Sequence, residues 1–104
     1  MEREEGERKK IFYSIREVSE ITGLSPSTLR FWEKKFSSLS PERTQGGRRR
    51  YREEDIELIL RIKRLLQEEG LTIKGAVERL KGEKDPLSLY RIKETLKEIL
   101  EILK

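Results

Sequence analysis

The sequence predicts a mostly α-helical fold, interrupted by one short two-stranded hairpin and closed by an amphipathic helix. Three observations predict it. Two short helix signals flank Gly23 within residues 14–36. An arginine-crowded stretch with a Gly46-Gly47 pair follows, and it has no helical period. Near the C-terminus, Leu89, Ile92, Leu96, Ile99 and Leu103 recur at spacings of three, four, three and four, a heptad seam.

Each element has a local reason. Residues 1–10 are almost entirely charged or Gly and predict a flexible tail. Ser14 followed by Glu17 fits a capping box, in which hydroxyl and carboxylate each satisfy a backbone N–H at the helix start. Ile15, Val18 and Ile21 share one face of that first helix, and Gly23 supplies the left-handed turn that ends it. Ser25 and Pro26 restart a helix as cap and first-turn residue. Its buried stripe is Leu29, Trp32 and Phe36. Residues 37–51 read as two strands with a tip at Gln45-Gly46-Gly47. A third helix is expected from about Glu53 to Glu69, stopped by Gly70, and a fourth from Thr72 to Gly82. Asp85-Pro86 opens the last helix. The domain reading is a tail over 1–10, a winged helix-turn-helix domain over 11–82 and a dimerisation helix over 83–104.

Composition narrows the function. A chain of 104 residues with 34% hydrophobic and 42% charged content builds one domain with a small core. It has no cysteine and no histidine, so the usual ligands for zinc, copper and iron–sulfur centres are missing, as are thiol and imidazole catalysis. The carboxylates show no catalytic pattern: Glu53, Glu54 and Asp55 sit where a helix dipole favours negative charge. No Gly-rich phosphate loop is followed by Lys-Ser or Lys-Thr. The expectation is a protein that is not an enzyme and needs no cofactor. No apolar run approaches the roughly 18 residues of a membrane span, and the charged N-terminus lacks a signal core. That implies no membrane partner and a cytoplasmic, nucleoid-associated location.

The net charge of +4 is modest, but its distribution is not. Arg43, Arg48, Arg49, Arg50 and Arg52 lie within ten residues, directly after two helices in helix-turn-helix order. One helix entering a groove, with arginines flanking it on phosphates, is a device for holding duplex DNA.

Several stretches carry a resemblance to a known family: Tyr13-Ser14-Ile15-Arg16-Glu17-Val18, residues 24–33 with Leu29-Arg30-Phe31-Trp32-Glu33, Gly47-Arg48-Arg49-Arg50-Tyr51, Asp55, Ile62-Lys63 and Glu69-Gly70-Leu71-Thr72-Ile73. In order and spacing they resemble the MerR family of bacterial transcription regulators, over residues Tyr13 to Leu80. The resemblance implies a winged helix-turn-helix domain, a second wing from helices three and four, and a dimer held by an antiparallel coiled coil. It also implies binding to a promoter palindrome and control by bending and untwisting the DNA, with RNA polymerase as a further candidate partner. Two departures stand out. The family's tyrosine pair is Phe31-Trp32 here, so a tyrosine–phosphate hydrogen bond is lost if relatives make one. No sensor segment follows the last helix in this sequence, so the resemblance carries no sensing function over.

The DNA-contacting set expected from both lines is Arg16, Ser27, Thr28, Arg30, Phe31, Arg43, Arg48, Arg49, Arg50, Tyr51 and Lys63. Ser25 is explained by capping alone. Three consecutive arginines on a strand alternate faces, so one of them is free to pair with Glu33 or Glu42 instead. Tyr51 is expected beneath the wing with its hydroxyl available to phosphate, and the family match places Lys63 on phosphate from the second wing. Leu89, Ile92, Leu96, Ile99 and Leu103 are expected to pair with a second copy, although folding back on the same subunit is the competing outcome. Two other functions use the same fold: an excisionase-like architectural DNA-bending protein, and an adaptor whose arginines meet an acidic protein.

Overall fold

The computed structural model describes residues 10–82 and 86–103, with side chains described for all of these except 86–91. The tail expected over 1–10 lies outside these residues apart from Lys10. Helices α1 (Ile15–Thr22) and α2 (Pro26–Lys35) precede strands β1 (Glu42–Arg43) and β2 (Arg49–Arg50). Helix α3 (Glu53–Lys63) continues as a π-helical stretch over Arg64–Glu68, followed by α4 (Ile73–Gly82) and α5 (Pro86–Leu103).

The capping box forms as its residues dictate. The Glu17 amide donates to Ser14 Oγ at 3.1 Å, and the Ser14 amide donates to Glu17 Oε1 at 2.8 Å. Gly23 closes α1 at φ 76°, a conformation that penalises any Cβ. The turn into α2 is bonded throughout. Buried Thr22 donates to the Val18 carbonyl at 2.8 Å, and Ser19 donates to the Leu24 carbonyl at 2.6 Å. Ser25 then caps α2 by accepting the Thr28 amide at 3.1 Å.

Strands β1 and β2 pair antiparallel, Glu42 opposite Arg50 and Arg43 opposite Arg49. At the tip the Thr44 carbonyl accepts the Gly47 amide at 2.9 Å, while Gly47 takes φ 84°. A turn followed by one left-handed residue is a three-residue hairpin connection whose twist matches the strands, and Gly meets it without strain. The hairpin has a further neighbour. Tyr13 and Tyr51 form an antiparallel bridge, their amides and carbonyls bonded at 2.8 and 2.9 Å. The chain just before α1 is thereby tied to the base of the wing.

One core runs through all of this. Val18, Leu29, Trp32, Phe36, Leu39, Tyr51, Ile56, Ile59 and Ile62 are buried together. The Trp32 and Phe36 rings meet edge to face at 6.3 Å, a favoured aromatic geometry. Gly70, at φ 71°, ends the π-helical stretch, and the Leu71 amide reaches back to the Leu65 carbonyl at 2.9 Å. Thr72 starts α4 by accepting the Gly75 amide at 2.9 Å.

At the last helix, two residues of the expected seam fold back on the chain that carries them. Ile92 and Leu96, read as halves of a seam between two copies, are buried within this chain at 5% and 2% exposure. Helix α5 packs chiefly on α3. The apolar face of α3 is wide: Ile56, Ile59 and Ile62 are buried in the core, and Leu58 and Leu60 are partly buried against it, with Leu60 lining one cavity together with Ile92 and Ile99 of α5. Ile99 is half-buried, and Leu103 at the far end is 53% exposed. The side chain of Leu89 lies outside the described residues.

Candidate nucleic-acid interface

Helix α2 divides its residues cleanly. Leu29 and Trp32 face the core, while Ser27, Arg30, Phe31, Lys34 and Lys35 are exposed. An exposed phenylalanine has no reason in packing; Phe31 keeps 46% of its surface in solvent, with Lys35 Nζ 5.5 Å from its ring centre. Thr28 is half-buried, and its hydroxyl accepts from Ser25 Oγ at 3.0 Å. Ser25 is thus occupied by capping on both counts. Arg16 on α1 is exposed, and among the described residues neither it nor Arg30 forms an ion pair.

The arginine block separates into different roles. Arg48, beside the hairpin tip, is exposed and has no ion-pair partner among the described residues. Arg49 turns inward: its Nε donates to both Glu33 oxygens at 2.9 Å. Arg50 lays its guanidinium 3.7 Å from the centre of the Phe12 ring, with Arg52 at 5.1 Å from the same ring. Stacking of this kind orients a guanidinium and leaves its N–H edge free to donate. Arg52 also pairs with Glu42 at 2.9 Å. Arg43 stays 53% exposed, with one nitrogen 4.0 Å from Glu33.

Three of the expected contacts are therefore engaged inside the protein. The Tyr51 hydroxyl, expected to be available to phosphate, donates to Glu33 Oε2 at 2.6 Å, and the residue is fully buried. Burial first, and then the Glu33 hydrogen bond, push this hydroxyl above the ordinary tyrosine value of 10.0. Lys63 donates to the Thr22 carbonyl at 2.7 Å. It caps the C-terminal end of α1, where free carbonyls and the helix dipole attract a cation. Arg49 is the arginine that takes the carboxylate. Sequence reading named Glu33 as a possible acceptor but missed its reach to Tyr51. It also missed Phe12 as the platform under Arg50. Alternation along β2 was a signal for the first, since Arg49 and Tyr51 stand two apart and share a face.

Known proteins share this sequence pattern. The family model described as MerR HTH family regulatory protein matches residues 13–83. The HTH-type transcriptional repressor CarA of Myxococcus xanthus is 39% identical over 70 residues, 66% of this chain and 24% of CarA. The HTH-type transcriptional regulator GlnR of Bacillus cereus is 33% identical over 95 residues, 91% of this chain and 72% of GlnR. The regulator MlrA of Escherichia coli is 42% identical over 52 residues, 50% of this chain and 21% of MlrA. The chain thus spans about a quarter or less of CarA and MlrA, and most of GlnR. Among solved structures, that of HiNmlR, a MerR family regulator lacking the sensor domain, bound to promoter DNA, matches with a TM-score of 0.53. That match has 23% identity and covers 89% of this chain and 73% of HiNmlR, which supports the fold. With the family model spanning residues 13–83 and a regulator matched over most of both lengths, the chain belongs to the MerR HTH family of regulatory proteins.

Proposed function

We propose that this chain is a transcription regulator that binds duplex DNA, with α2 in the major groove and the β1–β2 wing on the adjoining backbone. The observation that carries the reading is the exposed face of α2, bearing Ser27, Arg30 and Phe31, on a body whose wing carries an exposed Arg48 with no ion-pair partner among the described residues. A guanidinium left in water next to a base-reading helix has its full donor set for phosphate. HiNmlR, similar in fold, is bound to promoter DNA, which supports the same use here. Arg16, Arg30, Arg43 and Arg48 are the proposed phosphate or base contacts. Ser27 and Phe31 are proposed to meet base edges and methyl groups.

Two copies on a pseudo-palindromic operator complete the proposal. Ile102 and Leu103, at 80% and 53% exposure, leave an apolar end on α5 for pairing. Half-sites then lie near multiples of roughly 34 Å. Distorting the DNA between them costs on the order of a few kcal/mol, offset by added wing contacts.

Gel retardation of random duplex in dilute salt tests the reading first, followed by selection of bound genomic fragments. With all four arginines on phosphate, the slope of log affinity against log salt reaches about −4 per copy, and each one that reads a base instead makes it shallower by about 1. Arg48→Ala lowers that slope by about 1 and leaves folding unchanged. No retardation of any duplex at low salt refutes the proposal.

A further inference from the structure

Glu33 is a carboxylate on the helix proposed to approach a polyanion. Charge alone makes it a liability, yet its surroundings give it another role. Its side chain is only 11% exposed. Arg49 Nε donates to both its oxygens at 2.9 Å, Tyr51 donates to Oε2 at 2.6 Å, and Arg43 stands 4.0 Å from Oε1. These partners come from β1, from β2 and from the residue just past β2. One side chain of α2 therefore gathers both strands of the hairpin.

The wing needs such an anchor. Each strand has only two residues; those of β1 are exposed and those of β2 half-buried. Apart from the Arg50 stack on Phe12, little hydrocarbon holds the two strands in place, and backbone pairing between them does not set their orientation to α2. The Tyr13–Tyr51 bridge fixes the base of the wing. Glu33 fixes its angle to α2, three residues from Arg30 and two from Phe31.

We propose that Glu33 is a positioning residue for selective DNA binding, coupling the reading helix to the wing so that both engage one duplex in a single register. Resting on the DNA-binding reading above, this role predicts the reverse of simple electrostatics. A carboxylate that only repels phosphate weakens binding to every duplex alike. A carboxylate that sets the angle between two contacting elements raises discrimination among duplexes, because phosphate contacts set register and base contacts read within it.

The test measures affinity of wild type, Glu33→Ala and Glu33→Gln for a selected duplex and for random duplex, by fluorescence anisotropy at one salt concentration. Circular dichroism confirms that each variant is folded at the assay temperature, and Glu33→Gln serves if Glu33→Ala is not. The expected result is a loss of about ten-fold on the selected duplex for Glu33→Ala, with random-duplex affinity unchanged or higher. Glu33→Gln keeps an acceptor for Tyr51 and falls between. Arg49→Lys reproduces the loss, because an ammonium lacks the fixed donor geometry of Nε. An unchanged ratio of selected to random affinity in the folded Glu33 variants overturns the inference. Failure of wild type to bind any duplex is a separate outcome, which overturns the DNA-binding reading and this inference with it.

Discussion

The side chains of the wing meet α2 through hydrogen bonds to one carboxylate, beside the Tyr13–Tyr51 bridge at its base, whereas α5 attaches through a stripe of hydrocarbon. At the wing, Arg49 and Tyr51 converge on Glu33. At α5, Ile92 and Leu96 bury themselves against the chain that carries them. Directional bonds set an angle and are lost all at once when one partner is removed. Apolar packing is non-directional and scales with the area covered. The wing is thus built for precise placement, and α5 for adhesion to whatever apolar face lies nearest.

The sharpest way to break this contrast is at Leu96, 2% exposed in the core. Leu96→Ala is expected to cost about 3 kcal/mol, the range for emptying a buried leucine site, as read by urea unfolding. If Leu96 is held by its own chain, Leu96→Ala lowers the midpoint by the same amount at every protein concentration. A concentration dependence that wild type shows and Leu96→Ala loses instead places Leu96 between two copies. Such a loss erases the distinction drawn here for α5.

The same position shows what was legible in the sequence. The heptad spacing correctly marked Ile92 and Leu96 as residues that avoid water, but spacing does not name the surface that covers them. That depended on α3 and α5 meeting in the fold, a property of two helices brought together by folding. The helix-turn-helix was legible because its cues are local: Ser14 with Glu17, Gly23 and Ser25 with Pro26 act within a few residues of themselves. The wing was legible as a hairpin for the same reason. The division of labour among its arginines was not, because Glu33 and Phe12 lie 16 and 38 positions from Arg49 and Arg50. Arginine density does not show which guanidinium groups already have partners inside the protein, and the partners of Tyr51 and Lys63 are distant in sequence.

A middle-sized effect belongs to Tyr51. Tyr51→Phe removes only the hydroxyl and leaves Glu33 with Arg49. The expected loss is about 2 kcal/mol, typical of a hydrogen bond to a charged group. The pH dependence has a definite sign. The hydroxyl titrates above 10.0 when folded, pushed up by burial and by Glu33. Past pH 10 the unfolded chain releases this proton while the folded chain retains it, so wild-type stability falls as pH rises. Tyr13 is shifted the same way, by burial and then by Glu53 and Glu17. Tyr51→Phe should therefore flatten the alkaline decline without abolishing it. An unaltered decline would detach Tyr51 from the carboxylate and weaken the case for a bonded wing.

The smallest effect tests whether the contrast extends to the joint between α1 and α3. Lys63 spans 41 positions to reach the Thr22 carbonyl, and a Cβ on Gly23 would lie 3.5 Å from its Nζ. The ammonium is thus tied to a helix end, a use that gives no advantage from being near DNA. Lys63→Met keeps the hydrocarbon stem and removes the donor, at an expected cost of about 1 kcal/mol in unfolding free energy. Affinity for random duplex should stay within two-fold, roughly the margin left by losing a charge that makes no phosphate contact. A drop in the salt slope of about 1, as for Arg48→Ala, would instead mean that Lys63 leaves Thr22 for phosphate in the complex. The joint would then be remade on binding, and α1 would lose its cap at the moment α2 enters the groove.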